Sequence, residues 1–169
     1  MRALVVYESM FGNTKQIAEE VARGLTTRMP VEILEVGTAP VLLPDEVTLL
    51  VVGGPTHAFG MSRASTRDSA EQQADGDLIS RGEGIREWLS ALRVTIPIAA
   101  AAFDTKIRAA YMPGSAAKGA HKALRRHHLR LAAPPMNFYV TGTKGPLEET
   151  ELRRAHEWGE SLADAMAST

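Results

Sequence analysis

The most constraining feature of this chain is its rhythm: short apolar runs alternate with stretches whose apolar residues recur at spacings of three and four. That alternation marks a parallel sheet covered by helices on both faces. Ala3-Leu4-Val5-Val6-Tyr7 is a continuous apolar strand, after which Ile17, Ala18, Val21, Ala22 and Leu25 share one helix face. Val31 to Val36 alternates as an edge strand does. Val47 to Val52 is a third run, β-branched and stopped by Gly53-Gly54-Pro55. A long polar stretch from Gly60 to Gly84 precedes a second helical stripe at Ile85, Trp88, Leu89 and Leu92. Ile96 to Phe103 reads as the fourth strand, with Pro97 at its start where a missing N–H matters least. Ser115 to about His127 is a helix, Met136 to Val140 a final strand, and Leu152, Ala155, Gly159, Leu162 and Met166 line a C-terminal helix. Trp88 and Trp158 sit on apolar stripes and are expected to anchor the core. The expectation is an α/β fold: five strands in an open, doubly wound parallel sheet, with no composition break to divide residues 1–169 into domains.

Composition removes whole classes of function. The 169 residues suit one ordinary domain. The chain has no cysteine, which excludes thiolate metal sites, cysteine-held clusters, cysteine nucleophiles and thiol redox chemistry. A redox function would need a borrowed cofactor. Nineteen Lys and Arg against twenty Asp and Glu leave a formal charge of −1, so there is no general electrostatic reason to bind nucleic acid or an anionic membrane. No apolar run approaches the roughly 18–20 residues that span a bilayer. The run at Ala3–Tyr7 is too short for a signal-peptide core, so a cytoplasmic protein without membrane insertion is expected.

In open α/β sheets ligands bind beyond the carboxyl ends of the strands. The loop after the first strand is Ser9-Met10-Phe11-Gly12-Asn13-Thr14, and it leads into a helix N-terminus whose unpaired N–H groups attract an anion. Gly12 permits a tight turn, Ser9 and Thr14 bring hydroxyls, Asn13 is a candidate cap, and Lys15 adds a cation. An ordinary capped helix start without a ligand accounts for the same residues. Neither G-x-x-x-x-G-K-[ST] nor G-x-G-x-x-G occurs, which leaves out the P-loop and the Rossmann fingerprint.

The segment Val5-Val6-Tyr7-Glu8-Ser9-Met10-Phe11-Gly12-Asn13-Thr14-Lys15-Gln16-Ile17-Ala18-Glu19-Glu20-Val21 resembles the flavodoxin signature, and the order of elements agrees over nearly the whole chain. The resemblance implies strand order 2-1-3-4-5 and FMN as cofactor. It gives Ser9, Met10, Phe11, Gly12, Asn13 and Thr14 the role of holding the FMN phosphate. The turn Pro55-Thr56-His57-Ala58-Phe59-Gly60 matches the flavodoxin loop that lines the isoalloxazine ring, with His57 and Phe59 as candidates to stack on it. Phe103-Asp104-Thr105-Lys106 matches the second ring-lining loop, where flavodoxins carry a Gly-Asp pair and a Tyr. Asp104 is kept, but no Tyr adjoins it, and Tyr111 lies several residues on. That departure implies a more open flavin face.

The expected function is therefore that of an FMN-binding redox protein. Its donor would be a reductase or an NAD(P)H-linked partner, and its acceptor is unidentified. Flavodoxin carriers are usually strongly acidic, so the near-neutral charge shifts weight toward reduction of a small, quinone-like acceptor. The alternative is a flavodoxin-like module without flavin, used in binding or assembly; the thin aromatic lining speaks for it and the intact phosphate loop against it. The stretch from Gly60 to Gly84 is either a lid or a solvated loop, with Ser65 a possible helix cap. Arg125-Arg126-His127-His128 at a helix end is expected to be a solvated cationic terminus rather than a metal site.

Overall fold

The computed structural model describes residues 1–74, 76–108 and 114–168, so the Tyr111 position lies outside the described residues. The elements run β1 (Arg2–Tyr7), α1 (Asn13–Leu25), β2 (Val31–Glu35), β3 (Val47–Pro55), α2 (Ala64–Gln73), α3 (Ile85–Ala91), β4 (Ala99–Ile107), α4 (Ala116–Arg126), β5 (Arg130–Leu131), β6 (Met136–Val140) and α5 (Glu151–Ala167). All strands are parallel, in the order β2-β1-β3-β4, with β5 and β6 both paired to β4. This is the expected 2-1-3-4-5 arrangement, with its fifth position in two pieces. β5 pairs with Ala99 and Ala100, and β6 with Phe103 to Ile107. Between them Pro134 and Pro135 have no N–H for the ladder.

Side chains alternate across the central strands and feed two cores. Val5, Val51, Ala101 and Phe103 face α1 and α5, where they meet Ile17, Val21, Trp158 and Leu162. Leu4, Val6, Leu50 and Val52 face α3 and α4, meeting Ile85, Trp88, Leu89 and Leu124. Both tryptophans are buried, as expected.

Three boundaries differ from the sequence reading. β3 does not stop at Gly53 but continues to Pro55, and β4 starts at Ala99 rather than Ile96 and continues to Ile107. Gly53 pairs with Phe103 across the sheet, and a Cβ on Gly53 would lie 2.0 Å from the Phe103 ring. The glycine is there to seat that ring. Phe103 is fully buried and packs edge-on against Phe138 and Trp158, so its placement among the ring-lining residues is corrected: it is a core residue. In α5, Leu152 is exposed, and Glu151 is buried in its place, accepting the Tyr139 N–H at 2.7 Å and pairing with Arg154.

Candidate functional site

The carboxyl ends of β1, β3 and β4 converge on one cleft of about 290 Å³. Ser9, Met10, Phe11, Asn13, Thr14, Pro55, Thr56, His57, Ala58, Thr105 and Lys106 line it, so most of the residues expected from sequence come together here. Gly12, Phe59, Gly60 and Asp104 border it without lining it.

The chain enters α1 through Gly12, at the N-cap position with φ of 100°, a left-handed conformation suited to glycine. Asn13 is therefore the first helical residue and not the cap; its amide donates instead to the Lys144 carbonyl at 3.1 Å. Ser9 Oγ accepts the Gly12 and Lys15 N–H groups, at 3.2 and 3.3 Å. The Met10, Phe11, Asn13 and Thr14 N–H groups have no hydrogen-bond acceptor among the described residues. Thr14 Oγ1 meets Thr105 Oγ1 at 2.7 Å, and this pair consumes one hydroxyl hydrogen of two. Free donors on the first turn of a helix are what a dianionic phosphate requires. The turn is braced from behind: Ser9 N donates to Ser80 Oγ, while Ser80 N and Ile79 N donate to the carbonyls of Ser9 and Met10.

The second wall is a tight hairpin, in which His57 and Gly60 exchange both backbone hydrogen bonds. Its two central residues, Ala58 and Phe59, have φ of 47° and 71°, a conformation that costs a non-glycine residue about 1–2 kcal/mol. Phe59 is 52% exposed at the rim rather than stacked inside the cleft. Asp104 is completely buried behind this hairpin and accepts from Thr56 Oγ1, the Ala117 N–H and Asn137 Nδ2, each at 3.0 Å. One carboxylate thus ties together the hairpin, the start of α4 and β6. Burial raises its pKa against the lowering effect of those hydrogen bonds.

The third wall was not legible as a site. α2 lies inside the polar stretch and turns Thr66, Ser69, Ala70 and Gln73 toward the cleft. Only Ala70 of this helix is buried, so no apolar stripe announced it. Its spacing of three and four between polar, uncharged residues was the available signal. Ser65 is not its cap: Arg63 occupies that position, with its N–H and carbonyl both on Thr66 Oγ1. Thr66 also fixes His57, whose Nδ1 lies 3.0 Å from Thr66 Oγ1. With the one Thr66 hydrogen donated to the Arg63 carbonyl, the hydrogen count assigns the proton of that contact to His57 Nδ1 and leaves Nε2 an acceptor. Burial, then the Arg67 charge, lowers the His57 pKa and keeps the ring neutral.

Glu8, at the end of β1, is fully buried and accepts from Ser62 Oγ and the Ile85 N–H, so it joins the end of β1 to the segment before α2 and to the start of α3. Burial raises its pKa. The cluster at the end of α4 is structural where it is ordered inward: His127 Nε2 contacts the Leu89 carbonyl at 2.6 Å. No group of three metal-ligating side chains exists among the described residues.

A family model described as Flavodoxin matches residues 5–95, more than half of the chain. The chain belongs to the flavodoxin family. Membership implies FMN as cofactor, and the unpaired donors at the start of α1 fit its phosphate. Among solved structures, a flavodoxin from the domain Archaea is 18% identical, with 99% of each chain covered and a TM-score of 0.67. Flavodoxin 1 from Bacillus cereus is 15% identical, with 97% of this chain and 98% of that one covered, at 0.68. The Flv1 flavodiiron core from Synechocystis sp. PCC6803 is 16% identical; 99% of this chain matches 36% of that one, at 0.65. At these identities the likeness shows the fold. No curated protein matches this chain in sequence.

Proposed function

We propose that this protein binds FMN in the cleft and transfers electrons through it. The observation that carries this reading is the set of four backbone N–H groups, at Met10, Phe11, Asn13 and Thr14, that find no acceptor among the described residues on the turn that opens α1. They would hold the phosphate, with the Ser9 and Thr14 hydroxyls beside them. Pro55, Thr56, His57 and Ala58 would line one side of the ring, and Thr105 and Lys106 the other. Bound FMN supplies the redox chemistry, and the protein sets access and electrostatics around it. Lys106, half-buried with Nζ 3.4 Å from the Gly114 carbonyl, is the cation at the cleft and would favour negative charge on the ring. The carboxylates of Asp104 and Glu8 are turned into the hydrogen-bond networks behind the loops.

The donor would be a reductase or an NAD(P)H-linked partner, and the setting the cytoplasm; among the described residues no helix is long and apolar enough to cross a membrane. A second use is favoured by α2, whose Gln73 brings a side-chain amide to the cleft wall. Its NH2 group would donate to an oxygen of a small, quinone-like acceptor beside the ring. The test is direct. Purified protein should titrate with FMN and quench its fluorescence, and Ser9→Ala/Thr14→Ala should weaken that binding. An absorbance spectrum and titration showing no flavin at saturating FMN would return the loop to the flavin-free, assembly-module reading.

A further inference from the structure

The balanced charge of the chain conceals a sharp separation. Between Thr105 and Leu147 stand eight Lys and Arg and not one Asp or Glu, so with an overall charge of −1 the rest of the chain carries −9. The basic segment contains α4, whose buried face is Ala116, Ala117, Ala120 and Leu124. Its outer face carries Lys118, Lys122, Arg125 and Arg126, at spacings that align them along one side over about 12 Å. All four are exposed, and none forms an ion pair with a described residue. Arg125 reaches only the neighbouring His121, at 3.2 Å.

This stripe begins at the cleft. The first N–H groups of α4 are held by Thr56 and Asp104, behind the ring-side hairpin. Gly114 packs so closely on the hairpin that a Cβ there would lie 2.7 Å from the Phe59 carbonyl. Phe59 itself is held exposed in a left-handed conformation that its side chain does not favour. The exposed aromatic at the cleft rim thus packs on the residue that leads into α4, whose outer face is cationic and forms no ion pair with a described residue.

We propose that the outer face of α4, with Phe59 at its cleft end, docks a redox protein that presents a carboxylate-rich patch. The redox identity of that partner rests on the electron-transfer reading above; the docking itself does not require flavin. Complementary charge would steer the encounter, and Phe59 would supply the dry contact beside the electron's exit. A duplex nucleic acid or an anionic bilayer extends well past a 12 Å stripe and would meet the net negative remainder of the surface within a Debye length or two. A compact acidic protein patch does not.

The experiment is a titration of 15N-labelled protein, with and without added FMN, at about 0.02 M salt. The probes are an acidic plant-type ferredoxin with gallium in place of iron, basic cytochrome c, a short DNA duplex and phosphatidylserine vesicles. Ferredoxin should shift the resonances of Phe59, Lys118, Lys122, Arg125 and Arg126, and raising the salt to about 0.2 M should weaken it by about tenfold or more. Lys118→Glu/Lys122→Glu should weaken it about tenfold with an unchanged melting temperature. If that variant melts early, Arg125→Gln/Arg126→Gln decides, and should weaken binding in the same direction. No ferredoxin binding, shifts on another face, indifference to the substitutions, or tighter binding of cytochrome c, duplex or vesicles to α4 would each overturn the proposal. Because the shifts are read without flavin as well, failure to bind FMN stays a separate result.

Discussion

Replacing Asp104 by Ala should damage the cleft and the fold together. The carboxylate is wholly buried and is the shared acceptor for Thr56 Oγ1, the Ala117 N–H and Asn137 Nδ2. Truncation orphans three donors, each worth about 1–3 kcal/mol when left unsatisfied, so a loss of about 3–9 kcal/mol is expected in urea unfolding at neutral pH. Asp104→Asn keeps the shape and one acceptor oxygen, and removes the cost of burying a charge, so it should lose far less. The pH dependence has a definite sign. Burial raises the folded pKa of Asp104 above its ordinary 3.8, so in the window above that value the folded state holds the proton more tightly than the unfolded chain. Stability then falls as pH rises through the window and recovers on acidification; Glu8, raised by burial above 4.5, acts in the same direction. Asp104→Asn should flatten this slope by the Asp104 share. An Ala variant within about 1 kcal/mol of the parent, or an Asn variant with the parental slope, would refute the reasoning.

Three further outcomes follow from single contacts. Ser9→Ala removes the hydroxyl that accepts from Gly12 and Lys15, and FMN affinity by fluorescence quenching should drop by about 1.5–3 kcal/mol, roughly ten- to a hundredfold. Thr66→Val should release the His57 tautomer, seen as a changed ring-nitrogen pattern in 15N NMR, while Thr66→Ser should retain it. Phe59→Gly should raise the unfolding free energy by about 1 kcal/mol, because glycine adopts the left-handed turn without strain; a destabilised variant would contradict the φ-based account.

Much of the architecture was written locally. The β1 run, the stripe of α1 and the turn between them needed only a period and a glycine, and they carried the family resemblance with them. What was hidden depended on partners distant in sequence. Gly53 and Gly54 resembled a strand stop because nothing nearby shows the Phe103 ring that Gly53 accommodates. Phe103 to Lys106 resembled a loop because the strands that flank them, β3 and β6, come from 50 residues before and 33 after, as the pairs Gly53–Phe103 and Phe103–Met136 show. Glu8 stands at the polar end of the first strand, and nothing near it in sequence shows that Ser62 Oγ and the Ile85 N–H fill its acceptors. α2 escaped because a helix that packs one alanine has no hydrophobic period to detect. In the site, the phosphate loop was legible and the α2 wall was not.

The central claim is that the start of α1 is a phosphate site within a flavin cleft. Calorimetric titration of the flavin-free protein with FMN and with riboflavin, under identical conditions, isolates the phosphate. Several charge-assisted hydrogen bonds from Met10, Phe11, Asn13 and Thr14 would be made by FMN alone, each worth about 1.5–3 kcal/mol, so FMN should bind tighter than riboflavin by well over tenfold. Equal affinities, or no heat with either ligand, would contradict the account.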